Sequence, residues 1–91
     1  MIFTVYILYS NTADKYYVGY TADDIEERLR KHNSNRSGFT GHHNDWQIMF
    51  TEVYKSKLEA IKREKQIKNW KSRKLIESVI NKSSAGSVHP D

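Results

Sequence analysis

The chain has no cysteine. Disulfides, thiolate metal sites and cysteine nucleophiles are therefore excluded. A domain this small without disulfides suits a reducing compartment. No apolar run approaches the ~18 residues needed to span a bilayer. The opening Met1-Ile2-Phe3-Thr4 lacks the basic stretch, long apolar core and small-residue cleavage site of a signal peptide. These absences predict a soluble, cytoplasmic protein with no membrane partner. There is no internal repeat and no sign of a second domain. At 91 residues, one compact core is the realistic expectation.

What is present is charge, unevenly placed. The formal net charge is +4. Lys55 to Lys74 holds nine basic residues and two acidic ones, +7 in twenty residues, and the rest of the chain carries −3. Such a concentrated positive segment suits a polyanion partner, and equally suits a solvated lysine-rich helix.

Periodicity gives the elements. Ile2–Tyr9 and Lys15–Tyr20 read as strands joined by a polar turn over Ser10–Asp14. Thr21 to Asp24 offers a helix start, and the helix runs to about Asn33. Residues 34–45 are polar, with Gly38 and Gly41, and read as a loop. Trp46–Tyr54 is a third strand. Ser56 and Glu59 form a capping-box pattern for a basic helix to about Lys68. Ser72 can cap a last helix, ending near Asn81, whose stripe is Leu75, Ile76, Val79 and Ile80. The order β-β-α-β-α-α predicts an α+β fold, a three-stranded, mainly antiparallel sheet flanked by helices. The domain covers residues 1–81, with 82–91 a flexible tail.

Three polar residues interrupt apolar faces. Ile25 and Leu29 mark the buried side of the first helix, and Arg28 and His32 lie there or at its margin. In the basic helix Leu58, Ala60, Ile61 and Ile67 define the inner arc, and Glu64 falls within it. A carboxylate there is costly unless paired or bound to a metal. A buried Arg–Glu pair joining two helices explains this as readily as a catalytic site. Five tyrosines crowd the hairpin, where cross-strand packing alone accounts for them.

Val5-Tyr6-Ile7, ten residues between the tyrosines, and then Tyr17-Val18-Gly19 resemble the paired segments that name the GIY-YIG nucleases. Arg28-Leu29 and His32-Asn33 are similar to the family's arginine and histidine positions. Ala60 followed by Glu64 resembles its metal-binding segment. The likeness spans about Thr4 to Ile80 and is greatest to stand-alone bacterial members, which resemble the nuclease half of the excision-repair endonuclease.

The resemblance implies an endonuclease hydrolysing DNA phosphodiesters with one divalent ion, Mg²⁺ or Mn²⁺, in DNA repair or processing, with RNA a further possible substrate. It implies catalytic roles for Tyr6, Tyr17, Arg28 and His32, with Glu64 as metal ligand. Tyr6 leads as general base, with His32 the alternative. Gly19 is expected to let the chain leave the hairpin close to substrate. Lys62, Arg63, Lys65, Lys68 and Lys71 would grip phosphates without reading sequence.

Four positions depart from the family pattern. Val5 and Val18 replace a glycine and an isoleucine. Tyr20 stands where some members carry lysine. Neither Asn69 nor Asn81 matches the family's late asparagine in spacing. Two other readings stay open: a nucleic-acid-binding module with little cleavage activity, and a protein–protein adaptor with an acidic partner.

Overall fold

The computed structural model describes residues 1–34 and 43–88, with side chains to Lys82. The loop expected over 34–45 falls largely outside the described residues. β1 (Phe3–Ser10), β2 (Lys15–Thr21) and β3 (Trp46–Tyr54) form one antiparallel sheet in the order β2-β1-β3. The helices are α1 (Ile25–Ser34), α2 (Lys57–Asn69) and α3 (Arg73–Val88).

β1 is central, so both of its faces are covered. Val5, Ile7, Tyr6 and Leu8 are all at most 1% exposed. Successive side chains of a strand point to opposite faces. Val5 and Ile7 join Val18, Phe50, Ala60, Ile67 and Ile80 under α2 and α3. Tyr6 and Leu8 join Trp46 under α1, with Ile25 and Leu29 packed against them. The sheet therefore lies between one helix and two.

β3 contributes to both layers through a bulge. Ile7 pairs with Phe50 and Leu8 with Ile48, leaving Met49 as the extra residue. That insertion shifts the alternation by one. Trp46 and Ile48 then face α1, whereas Phe50 and Tyr54 face α2 and α3. An uninterrupted strand would have put all four on one side.

Local chemistry sets the ends of the elements. Asp14 closes the hairpin turn at φ 54°, donating its N–H to the Ser10 carbonyl at 2.7 Å. The Asp24 carboxylate accepts from Glu27 N at the start of α1. Ser56 caps α2, its hydroxyl accepting from Glu59 N at 3.3 Å. The Ser72 hydroxyl accepts from Leu75 N at the start of α3.

Three expectations are corrected. The last helix does not stop near Asn81 but runs to Val88. Ser83, Ser84 and Ala85 contain no strong breaker, and one glycine inside a helix costs only about 1 kcal/mol. Leu58 is 62% exposed rather than internal. At 100° per residue it sits about 160° round the helix from Ala60. Leu75 is 48% exposed, so the stripe of α3 narrows to Ile76, Val79 and Ile80.

Candidate active site

The core under α1 contains a polar cluster. The Tyr6 hydroxyl lies 3.0 Å from His32 Nε2, and Arg28 Nε donates to it at 3.5 Å. The Tyr17 ring packs edge-on to His32 at 4.8 Å and tilted to Tyr6 at 6.3 Å. Arg28 and His32 meet Tyr6 because four residues of helix bring side chains back to one face. His32 is 8% exposed. Its neighbour Asn33 fixes the end of α1 to β3, accepting from Trp46 N at 2.8 Å and donating to Trp46 O at 3.2 Å.

Gly19 pairs with Tyr6 across the sheet. A Cβ there would stand 2.7 Å from the Tyr6 hydroxyl and 2.9 Å from the carbon bearing it. The glycine therefore makes room for a phenol lying across β2. This is separate from the role expected of it, letting the chain leave the hairpin close to substrate.

Burial and the Arg28–Tyr6 contact shift three of these groups. Burial pushes the Tyr6 phenol above its usual range, and the hydrogen bond from Arg28 offsets this only in part. His32 is lowered, first by burial and then by the Arg28 charge. It is therefore neutral at pH 7, and its Nε2 can accept a proton. Arg28 is raised by its bond to Tyr6 and stays charged. The consistent hydrogen-bond direction runs from Arg28 to the Tyr6 oxygen and from the Tyr6 hydroxyl to His32.

Glu64 approaches from α2. Its side chain is 15% exposed and pairs with Lys68 at 3.3 Å. Its charge reaches Tyr6, where it opposes the phenolate. It does not pair with Arg28. Among the described residues no group of three or more His, Cys, Asp or Glu could enclose a metal. One half-sheltered hard carboxylate instead fits an ion of the Mg²⁺ type, which keeps waters and takes phosphate oxygens as ligands.

The five basic candidates do not form one track. Arg63 is tied to Glu52 at 2.8 Å and to Gln66 at 2.7 Å, and lies over Trp70. Lys62 shares its hollow with Tyr54 and Glu59. Lys68 and Lys71 line a separate cavity beside β2. Lys65 is exposed. Asn69 and Asn81 are also exposed, and Tyr20 packs against the core under α2 and α3.

Sequence reasoning missed two polar knots. Asp45 accepts from the Ser10 hydroxyl at 2.6 Å and from Thr12 N and Oγ1 at 3.0 Å each, while Thr12 Oγ1 also meets His43 at 2.9 Å. Arg73 binds Asp14 at 2.7 Å and Glu77 at 3.0 Å and lies against the Tyr9 and Tyr16 rings. Partners 33 and 59 residues apart leave no periodic signal.

The GIY-YIG catalytic domain family matches residues 2–77. A UPF0213 protein of Staphylococcus saprophyticus is 36% identical over 64 residues, covering 69% of this chain and 77% of the relative. The solution NMR structure of a UPF0213 protein from Bacillus halodurans is similar at TM-score 0.56 and 30% identity, covering 89% of this chain and 84% of that one.

Proposed function

Because this chain belongs to the GIY-YIG family, we propose that it is an endonuclease acting on DNA, with Tyr6, Tyr17, Arg28, His32 and Glu64 as its site. The observation that carries the reading is the hydrogen-bonded series Arg28–Tyr6–His32 with the Glu64 charge within reach.

The series suits proton removal from an attacking water. A raised phenol is a poor base alone. Here the Tyr6 oxygen takes a proton from water as its own proton passes to neutral His32 Nε2. The phenol ends neutral, the imidazole ends charged, and hydroxide is delivered to phosphorus. Arg28 offers a planar guanidinium to the charge that grows on the phosphoryl oxygens. Tyr17 packs the imidazole in place, and Gly19 leaves the phenol its room. Glu64 would hold one divalent ion, Mg²⁺ or Mn²⁺. Such an ion, when bound, polarises the phosphate and stabilises the departing oxygen. A role in DNA repair or processing rests on the likeness to the excision-repair endonuclease. RNA is a second substrate to be tested alongside DNA.

Nicking of supercoiled plasmid tests the proposal. The purified protein is expected to nick in Mg²⁺, and Glu64→Gln is expected to abolish this. Equal activity in that variant would mean the wrong site or a contaminant.

A second reading is a nucleic-acid-binding module with little cleavage. The observation favouring it is Lys68, whose ammonium already neutralises Glu64. Salt-sensitive DNA binding without nicking in Mg²⁺ or Mn²⁺ would select it.

A further inference from the structure

A cavity of about 540 Å³ opens between the edge strand β2 and the corner joining α2 to α3. The volume falls within the range of ligand pockets, roughly 300–1,000 Å³. Val18, Ile67 and Ile76 line its apolar part and Tyr16 adds an aromatic side chain. Lys68, Lys71 and Arg73 lie at its rim with Asp14. That carboxylate is already engaged by Arg73 and the Tyr9 hydroxyl. Arg73 also binds Glu77 and Lys68 pairs with Glu64, so of these three cations Lys71 carries the charge left over. Lys71 makes no ion pair among the described residues and sits at φ 49°. This is the left-handed turn that follows the α2 C-cap Trp70.

The cavity adjoins the candidate active site. Lys68 lines it and touches Glu64 at 3.3 Å. Tyr17 lines it too and packs edge-on to His32 at 4.8 Å. An apolar, aromatic hollow with a cationic rim matches a nucleotide. The base takes the hollow, and the phosphate takes the rim.

Building on the endonuclease reading, we infer that this cavity seats the base of an unpaired nucleotide beside the scissile phosphate, with Lys68 and Lys71 on the intervening backbone. A base stacked in a duplex cannot enter such a hollow unless it is extruded. The site therefore prefers a strand with an unpaired nucleotide next to the cut.

Fluorescence anisotropy at low salt in EDTA tests this without cleavage. The probe is a short labelled single-stranded DNA in which one abasic nucleotide is moved along the sequence. Wild-type protein is expected to lose roughly tenfold in affinity at one or two adjacent positions and little elsewhere. Ile76→Arg fills the hollow and is expected to flatten this profile while binding remains salt-sensitive. Lys71→Ala, at an exposed position, is expected to weaken all probes alike and to lower the salt slope by about one. A flat wild-type profile, or a duplex bound as tightly as the single strand, would overturn the inference alone. No binding of any strand would overturn it together with the endonuclease reading. The wild-type scan decides the matter even if Ile76→Arg does not fold.

Discussion

Tyr6 is the residue on which both packing and chemistry converge. It is 1% exposed, yet its hydroxyl has partners on both sides. Tyr6→Phe leaves the ring's packing and removes the oxygen that links Arg28 to His32. The expected outcome is a loss of nicking of roughly 10²- to 10⁴-fold, the usual weight of a general acid–base group. Circular dichroism should show the fold retained. Gly19→Ala acts on the same phenol from below. Its Cβ would stand 2.7 Å from the Tyr6 hydroxyl, so the ring must shift within a packed layer. Overpacking of this kind costs about 1–3 kcal/mol, readable as a lower urea midpoint, and activity should fall with it. His32 supplies the pH dependence. Its pKa is lowered by burial and by Arg28, so it stays neutral further into acid than a free imidazole. The acid limb of the rate profile should therefore lie below about pH 6.5. A limb above that value would remove His32 as the proton acceptor.

At the level of elements, α2 must be held so that the Glu64 charge stays within reach of Tyr6. Ala60 and Ile67, both fully buried, fix the helix to the sheet, and Ser56 fixes its start. Ser56→Ala should cost about 0.5–2 kcal/mol by denaturant unfolding, because Glu59 N loses its acceptor. The cap was legible in the sequence, and so were the three strands and three helix starts. Caps and hairpin turns are written in neighbouring residues, where single-chain patterns carry information. Arg28, His32 and Glu64 were visible for a related reason, as polar residues interrupting apolar faces of helices. The bulge at Met49 was not legible. It depends on which residue of β1 meets Phe50, and nothing within β3 announces it. The crowding at Gly19 was not legible, because it comes from Tyr6, thirteen positions earlier. The basic helix looked like one surface, yet the fold divides it. Arg63 serves Glu52 on one side, and Lys68 stands by Glu64 on the other.

The molecule as a whole is tied together by two carboxylates that hold the hairpin turn. Asp45 joins the stretch before β3 to the hairpin turn through Ser10 and Thr12. Asp14 joins the same turn to α3 through Arg73, with the Tyr9 hydroxyl as a second donor. The hydrogen bond from Ser10 leads in holding Asp45 down at about 2, and the one from Arg73 leads in holding Asp14 down at about 2. Unfolded aspartate titrates near 3.9. A depressed folded value means that the unfolded chain binds protons first as acid is added. The contribution of both groups is therefore complete above about pH 4 and disappears as pH falls through about 2. The urea midpoint should be flat with respect to these groups from pH 7 to 5 and should drop between about pH 4 and 2. Asp45→Asn should lower the midpoint at neutral pH, since the amide carries no charge for Ser10 and Thr12 to stabilise. It should also make the acid decline shallower, because one of the two titrating groups has gone. A variant whose acid decline matches the wild type would show that Asp45 does not couple the turn to the rest of the fold. The hairpin would then depend on the Arg73 clamp, and Asp14→Asn should remove most of the slope.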